Sequence, residues 1–298
     1  MTSQIIRKPA WLRSNLGNNA NFAATGRIVK GQCLHTICES GRCPNLGDCW
    51  NRRTATLMIA GDICTRSCKF CNTKSGKPLP LDADEPRKVA ESVKALGLKH
   101  AVLTSVDRDD LPDGGAGHWV ETILQVRRLN PQTTIEVLIP DFRGNPTLVQ
   151  QIIDARPNII SHNIETVRRL TSMARSVARY ETSLAVLRQI AASDLPAKSG
   201  LMLGLGETEE EILQTLRDLR ATGCSLLSIG QYLQPSKKNL PVAAYIHPDK
   251  FSEYKQIALS MGFRHVESAP LVRSSYHSID YIFSPNDKSP ASPSPGTI

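Results

Sequence analysis

Cysteine spacing is the strongest chemical signal in the sequence. The chain has eight cysteines, and six of them form two groups of three. The upstream group has C-x4-C-x5-C spacing and consists of Cys38, Cys43 and Cys49. The downstream group has C-x3-C-x2-C spacing and consists of Cys64, Cys68 and Cys71. Close thiols in a protein expected inside the cell favour metal over disulfides, and thiolate-rich sites suit zinc or iron–sulfur clusters.

The grouping in threes favours an iron–sulfur cluster over zinc. A structural zinc site takes four ligands, often supplied as two pairs. A four-iron cluster held by three cysteines leaves one iron open, and that iron can bind a substrate or a cofactor. Cys33 and Cys224 lie outside both spacings, and we expect them to be bystander thiols.

Composition narrows the classes of protein that this chain can be. Its 298 residues with 40% hydrophobic content can bury a sizeable core. No apolar run reaches the roughly 18 residues that span a membrane, and the first residues lack the apolar region of a secretory signal. We therefore expect a cytoplasmic protein that binds no membrane. The net charge of +8 comes from scattered lysines and arginines, so charge alone favours neither nucleic acid nor an acidic protein as a partner.

From residue 54 onward, apolar runs alternate with helical patterns. The predicted strands cover residues 54–60, 100–104, 134–139, 159–164, 200–203 and 226–229. The predicted helices cover residues 86–96, 119–129, 146–155, 181–192 and 207–222. This α/β alternation predicts parallel strands joined by right-handed crossovers. Six units make a partial (β/α)6 barrel of the TIM type, in which active residues lie at the carboxyl ends of the strands.

Three regions of the chain are expected to differ in order. Residues 1–53 read as an irregular N-terminal extension that carries the upstream cysteines, because Gly41, Pro44 and Gly47 interrupt any helical pattern. Residues 54–283 should form the barrel and a C-terminal segment, and its first strand should deliver Cys64 at its carboxyl end. Residues 284–298 are rich in proline and serine and are expected to be a disordered tail.

Polar residues follow the predicted strands. Asn163 and Glu165 alternate on one face at the end of the fourth predicted strand. Other polar or glycine-rich runs follow strands at residues 104–115, 140–144, 200–207 and 231–236. Each of these runs could be a solvated turn, but together they place polar groups at one end of the barrel.

The motifs together resemble a known enzyme family. The C-x3-C-x2-C run, with Phe70 just before its last cysteine, resembles the radical S-adenosylmethionine superfamily. The upstream cysteines, residues 8–12 and the strand-end runs resemble the lipoyl synthase family within it. This resemblance implies two [4Fe–4S] clusters. Cys64, Cys68 and Cys71 would hold the one that binds S-adenosylmethionine, and the upstream cysteines would hold an auxiliary cluster that donates sulfur.

The resemblance also implies roles for four other residues. Asn163 and Glu165 would contact S-adenosylmethionine. In the Arg-Ser-Ser-Tyr run at residues 273–276, Ser275 would supply the fourth ligand of the auxiliary cluster, with Ser274 as the alternative. The N-terminal and C-terminal extensions would thus hold that cluster together, and no side chain is assigned a catalytic acid or base role.

The activity implied by the resemblance is radical sulfur insertion. Two sulfur atoms would enter at C6 and C8 of an octanoyl group on a lipoyl carrier domain, with 5′-deoxyadenosine and methionine as co-products. The carrier would belong to a 2-oxoacid dehydrogenase or be the glycine cleavage H protein. Ferredoxin or flavodoxin would supply electrons to a monomeric enzyme that binds no nucleic acid.

Two other classes of protein share part of this pattern. An enzyme of the biotin synthase type would share the downstream cysteines and the Asn/acid pair, but it would not explain the upstream cysteines. A zinc-binding or nucleic-acid-binding module would explain cysteines and positive charge, but it would not explain six βα units with polar strand ends.

Overall fold

A mostly parallel sheet of eight strands organises the computed structural model, which describes residues 7–13 and 20–276. The strands, in chain order, are β1 (His35–Thr36), β2 (Thr56–Ile59), β3 (Ile63–Cys64), β4 (Lys74–Ser75), β5 (His100–Ser105), β6 (Thr134–Leu138), β7 (Ile159–Ser161), β8 (Ala197–Leu203), β9 (Leu226–Gln231) and β10 (His265–Ser268). The large sheet has the order β1-β2-β5-β6-β7-β8-β9-β10, and β3 pairs separately with β4. Only the edge strand β1 is antiparallel to its neighbour in that sheet, among the strands described.

Helices connect the parallel strands. In chain order they are α1 (Ala20–Gly31), α2 (Ile37–Ser40), α3 (Leu46–Asn51), α4 (Glu85–Leu96), α5 (Ala116–Leu129), α6 (Pro146–Asp154), α7 (Arg168–Ala174), α8 (Tyr180–Ala191), α9 (Glu209–Ala221) and α10 (Pro248–Ser260). Local sequence explains several of these boundaries. Helix α9 begins with a capping box between Thr208 and Glu211, and α4 has a proline in its first turn and ends at Gly97 in the left-handed conformation.

The predicted α/β partial barrel is confirmed, with its six strands present as β2 and β5–β9. The count of six strands was incomplete, because β1 and β10 extend the sheet at its two edges. Strand β1 has only two residues, which is too short to show an alternating pattern. Strand β10 has three polar residues out of four, so its sequence carries no apolar run. Helices α7 and α10 were also not predicted.

The prediction of an irregular N-terminal extension was wrong for its described part, which contains α1, α2 and α3. Helix α1 packs against Trp50, since the Phe22 and Trp50 rings lie 5.2 Å apart and the Thr25 hydroxyl donates to the Trp50 carbonyl. A short helix forms at Cys38 because Thr36 caps it by accepting from the Glu39 amide. Gly47, expected to break a helix, lies inside α3.

The core of the described residues has two large apolar clusters between the sheet and the helices. One lies between β2, β5 and β6 and helices α4–α6, and the other between β8, β9 and helices α8–α10. In the described part of the chain, no helix is long and apolar enough to cross a membrane. The predicted disordered tail lies outside the described residues, and the domain boundaries, the cytoplasmic location and the monomeric state stay predictions.

Candidate functional site

A cavity of about 340 Å³ lies at the carboxyl ends of the parallel strands. Its wall brings together most of the residues predicted from the sequence, namely Cys38, Cys43, Cys64, Cys68, Cys71, Asn163, Glu165, Ser274 and Ser275. Cys49 does not line the cavity, but it lies near Cys43, which does. Repulsion between the two thiolates contributes to the raised pKa of Cys49. Residues far apart in the sequence therefore meet at one place, the end of the barrel where such folds carry their active residues.

The downstream cysteines lie in a loop with backbone amides directed at its sulfur atoms. Cys64 Sγ accepts from the amides of Arg66 at 3.4 Å and Asp107 at 3.3 Å. Cys71 Sγ accepts from the Thr73 amide at 3.4 Å. Hydrogen bonds to sulfur of this kind orient and tune thiolates that bind iron–sulfur clusters. The donor set therefore fits a thiolate-held cluster.

Burial shapes the acid–base behaviour of both cysteine groups. Burial, with a contribution from the Asp107 carboxylate, raises the pKa of Cys64 to about 12. Burial and the neighbouring Cys43 raise the pKa of Cys38 to about 12 and that of Cys49 to about 11. Without metal these three thiols are protonated at neutral pH, and metal binding must displace their protons.

The thiols are too far apart in space to bind one metal ion together. Within residues 7–13 and 20–276, no three Cys, His, Asp or Glu side chains converge closely enough to hold one metal ion. A four-iron cluster requires thiolates that are farther apart, because each thiolate binds a different iron.

Arg66, inside the downstream cysteine loop, is buried and fixes the loop to the barrel. Its guanidinium donates to Asp109 at 2.7 and 2.9 Å and to Asp141 at 2.7 Å. It also lies 3.3 Å from Asp107. The three acids come from the loops after β5 and β6, so one arginine joins three segments of the chain.

The pKa values of the three carboxyl groups around Arg66 shift in different directions. Burial opposes ionisation of Asp109 and Asp141, but the Arg66 hydrogen bonds outweigh it and hold their pKa values below the usual range. Burial prevails at Asp107 and raises its pKa. Sequence reasoning missed this cluster, since each acid alone could equally well sit in a solvated turn.

Asn163 and Glu165 face the cavity, but not from a strand. The predicted strand 159–164 ends at Ser161, so the expected alternation on one strand face was wrong. Glu165 has a left-handed backbone (φ 69°), and its backbone pairs with β8 instead. Such a conformation in a residue other than glycine costs energy and is frequent at functional sites.

Of the two polar atoms of the Asn163 side-chain amide, only the nitrogen has a hydrogen-bond partner among the described residues. Its Nδ2 donates to Ser274 Oγ at 2.8 Å. Its Oδ1 is buried and has no hydrogen-bond partner among the described residues. Gly200 makes room for this group, because a Cβ there would lie 2.6 Å from Asn163 Oδ1. A buried acceptor without a partner beside a cavity fits a site that binds a polar ligand.

A chain of buried hydrogen bonds at the cavity wall fixes His162. Its Nδ1 lies 2.9 Å from the Ile139 carbonyl and its Nε2 lies 2.9 Å from Ser183 Oγ, which accepts from Arg175 at 2.7 Å. Burial and the nearby Arg175 charge lower the pKa of His162 to about 4. The ring is therefore neutral, with Nδ1–H donating to Ile139. Burial raises the pKa of Glu165, and Arg175 on the cavity wall opposes that rise.

The C-terminal segment returns to the upstream cysteines. The amide side chain of Asn45 donates to the Leu271 carbonyl at 2.7 Å, and the Tyr276 hydroxyl donates to Asp48 at 3.2 Å. Between these contacts, Thr56 Oγ1 donates to Ser275 Oγ at 2.7 Å.

The two serines of the segment point to different neighbours. Thr56, the partner of Ser275, opposes the rise in the pKa of the Cys38 thiol, so Ser275 lies next to the upstream group. Ser274 instead turns to Asn163, and its carbonyl accepts from Lys198 Nζ at 2.7 Å. Lys198 is fully buried in the barrel and is paired with Glu136 at 2.9 Å. Nothing in the spacing of these residues in the sequence predicted the lysine or its pairing.

Cys33 and Cys224 lie apart from the cavity wall. Cys33 is exposed after α1, and Cys224 is buried with its sulfur 3.4 Å from the Ala197 carbonyl. Their expected status as bystander thiols agrees with these positions.

Comparison with known proteins identifies the family that this chain resembles in sequence and in fold. Residues 58–219 match the family model of the radical SAM superfamily. The lipoyl synthase of Parabacteroides distasonis is 60% identical over 280 residues, which cover 94% of this chain and 100% of that protein. The lipoyl synthase of Porphyromonas gingivalis is 62% identical over 276 residues, or 92% of this chain and 98% of that protein. The solved structure of methylornithine synthase has a similar fold, with a TM-score of 0.54 and 13% identity over 89% of this chain and 82% of that chain.

The neutral state of His162 generates a pH prediction. Unfolding frees the ring to take up a proton below its ordinary pKa, whereas the folded ring resists protonation down to about 4. Stability should thus be intact above pH 6.5 and decline as the pH falls toward 4, by about 3 kcal/mol at most. Urea unfolding of the reduced, metal-free chain between pH 4.5 and 7.5 measures this.

The variant His162→Gln keeps a donor and an acceptor but cannot titrate. Its stability relative to the unaltered chain should rise as the pH falls, whereas His247→Gln, which changes an exposed histidine, should track the unaltered chain. A pH-independent difference for His162→Gln would contradict the assignment of a neutral, buried ring.

Proposed function

The chain belongs to the lipoyl synthase family of radical S-adenosylmethionine enzymes, and we propose how its cavity serves that activity. The reaction is the insertion of two sulfur atoms at C6 and C8 of a protein-bound octanoyl group, which forms the lipoyl cofactor. Methionine and 5′-deoxyadenosine are the co-products. Family membership removes the zinc-module alternative, and relatives named lipoyl synthase that cover both cysteine groups favour this activity over that of biotin synthase.

The observation that carries the proposal is the meeting of both cysteine groups at one cavity. Cys64, Cys68 and Cys71 would hold one [4Fe–4S] cluster, and the upstream group would hold the other. When bound, the first cluster and S-adenosylmethionine supply a radical that takes hydrogen from an unactivated methylene, and the second cluster supplies sulfur. The chain itself holds the ligands, excludes water and positions the octanoyl chain between them.

Asn163 and Glu165 would bind S-adenosylmethionine. The unpartnered Asn163 Oδ1 is an acceptor for an ammonium or hydroxyl group, and the Glu165 carboxylate can accept hydrogen bonds from a ribose diol. Gly200 leaves the space that such a ligand needs beside Asn163. Arg175, whose charge opposes protonation of Glu165, favours the carboxylate form that accepts from hydroxyl groups.

Ser275 would be the fourth ligand of the auxiliary cluster. Its contact with Thr56, which lies near the Cys38 thiol, supports this assignment over Ser274, which bonds to Asn163. An alkoxide is a hard ligand and a poor match for iron in a sulfide cluster. That weaker bond suits a cluster that must give up sulfur.

The substrate chain would lie against the apolar part of the cavity wall. That part is formed by aliphatic side chains from three strands or their ends, namely Val102, Val106, Leu138, Ile139 and Leu201. An octanoyl group on a lysine of a lipoyl carrier domain presents methylene groups and a terminal methyl to such a surface. The carrier of a 2-oxoacid dehydrogenase or the glycine cleavage H protein fits this requirement, and ferredoxin or flavodoxin would supply electrons.

The two cysteine groups should have separable roles. Cys68→Ala should abolish cleavage of S-adenosylmethionine, because the cluster that binds it loses a ligand. Cys43→Ala should still cleave S-adenosylmethionine to 5′-deoxyadenosine but should add no sulfur to an octanoylated carrier domain. Chromatography of 5′-deoxyadenosine and mass spectrometry of the carrier, both under anaerobic conditions, measure the two outcomes.

A matched control for these variants is Cys33→Ser, which removes an exposed thiol outside both groups and should keep both activities. Lipoyl product from Cys43→Ala would refute the sulfur-donor assignment of the upstream group.

The serine assignment has its own test. In a background in which all three downstream cysteines are alanine, Ser275→Ala should lower the iron retained by the auxiliary site, whereas Ser275→Cys should keep about four irons with softer ligation. With the downstream cysteines intact, both Ser275 variants should insert sulfur poorly. Iron analysis and carrier mass spectrometry give the two readouts.

The matched variant Ser274→Ala should retain the iron of the auxiliary site, because its hydroxyl contacts Asn163 instead. Full double insertion by Ser275→Ala beside an inactive Ser274→Ala would move the role to Ser274. Full activity in both alanine variants would end the serine-ligand proposal.

A further inference from the structure

The surface around the downstream cysteines is unusually basic in its sequence. Three segments, residues 63–81, 166–180 and 232–248, together contain ten lysines and arginines and no aspartate or glutamate. The whole chain has 36 basic and 28 acidic residues, so a region of this length without any acid departs from the rest. The charge that looked scattered along the sequence is therefore locally concentrated.

These three segments meet at the cysteine loop. The Lys69 amide donates to the Ala174 carbonyl at 2.8 Å, and the Leu240 amide donates to the Lys69 carbonyl at 3.0 Å. The Asn239 side chain donates to the Cys71 carbonyl at 2.8 Å. These contacts bring the three segments to the loop that would hold the first cluster.

Part of this charge is neutralised and part is free. Arg66, Lys74, Arg168 and Arg169 form ion pairs with acids outside the three segments. Five further side chains are exposed and form no ion pair with any described residue, namely Lys69, Lys77, Arg179, Lys237 and Lys238. We call Lys69, Arg179, Lys237 and Lys238, with Met173 and Val177, the basic face.

Two large apolar side chains are exposed on the basic face. Met173 is 38% exposed and Val177 is 48% exposed. Between them lies Ser176, whose hydroxyl accepts from the Ser67 amide at 3.1 Å and lies 3.8 Å from Cys68 Sγ. Exposed apolar groups rimmed by polar or charged ones mark surfaces that bind other proteins. Here they belong to the same short segment as Ser176, which lies beside the sulfur of Cys68.

We propose that the basic face is the docking surface for an acidic one-electron carrier protein. The inference rests on the proposed function, which requires one electron to enter the cluster held by Cys64, Cys68 and Cys71 for each cleavage of S-adenosylmethionine. The carrier loses that electron and the cluster gains it, with no bond formed between the proteins. Ser67, Lys69 and Ser176 are exposed beside Cys68, so a partner on this surface would lie next to the loop that holds that cluster.

The sign of the charge selects the partner. Unpaired lysines and an arginine attract an acidic protein and repel a basic one, and such complementarity raises association rates by tenfold or more at low salt. Met173 and Val177 add the apolar contact that such a complex buries. The octanoylated carrier domain is the alternative occupant, and the experiment separates the two.

The test reverses two charges at the loop. Lys237 and Lys238 are exposed and lie outside the cysteine and ligand-binding groups, so Lys237→Glu/Lys238→Glu should leave folding and both clusters intact. A photoreduced acidic flavodoxin is the protein probe, and dithionite is the small reductant that needs no docking. Stopped-flow reduction of the reconstituted enzyme should be at least about tenfold slower with flavodoxin at low salt and unchanged with dithionite. The difference should shrink as salt is added.

A matched control changes the same charge at the opposite end of the barrel. Lys94→Glu/Lys99→Glu alters two exposed lysines, one on α4 and one just before β5, and should leave flavodoxin reduction unaffected. Calorimetry of flavodoxin binding gives a second readout that needs no turnover, so it still tests docking if the proposed activity fails. Equal loss in both double variants, or unchanged flavodoxin binding in Lys237→Glu/Lys238→Glu, would overturn the proposal. So would a loss of affinity for the octanoylated carrier domain alone, which would make the basic face the substrate-docking surface.

Discussion

The buried guanidinium of Arg66 is the interaction on which the site depends. It lies between two cysteines of the downstream loop and binds carboxylates that follow two different strands. Removing one partner of a buried ion pair typically costs about 3–5 kcal/mol, because the remaining charge is left without compensation. Three acids around one arginine make the loop position nearly independent of the cysteines themselves. The thiols are thus held in place before any cluster binds, which favours assembly of the cluster.

A second constraint joins the two ends of the described chain. Residues 271–276 are tied to the N-terminal helices at Asn45, Asp48 and Thr56, and to the barrel interior through Lys198. These contacts bring the upstream cysteines across the open end of a barrel that they do not belong to. The physical consequence is one cavity lined by residues of both cysteine groups. Under the proposed function, a substrate in this cavity would lose hydrogen to the radical formed at the downstream group and would gain sulfur from the cluster held by the upstream group.

Sequence patterns predicted what depends on local or periodic signals. The six parallel strands and most of their helices follow from apolar periodicity, and the cysteine groups follow from spacing. The features that were missed depend on contacts between residues distant in the sequence. Nothing near Arg66 in the sequence indicates its three carboxylate partners. Lys198 lies in a predicted strand region, and its ion pair with Glu136 is visible only in the folded structure. Glu165 was placed on a strand face because nothing in the sequence indicates its left-handed backbone. Helices α2 and α3 were missed because they are only four and six residues long, too short to show a helical period.

Metal content tests the central claim, that two thiolate-held clusters face one cavity, more directly than any activity assay. Anaerobically reconstituted protein should contain about eight irons and about eight acid-labile sulfides per chain, as two [4Fe–4S] clusters. Replacing either cysteine group by alanine should remove about half of each, while leaving the other cluster with its own spectrum in Mössbauer spectroscopy. About four irons in the unaltered chain, or zinc in place of iron, would contradict the account.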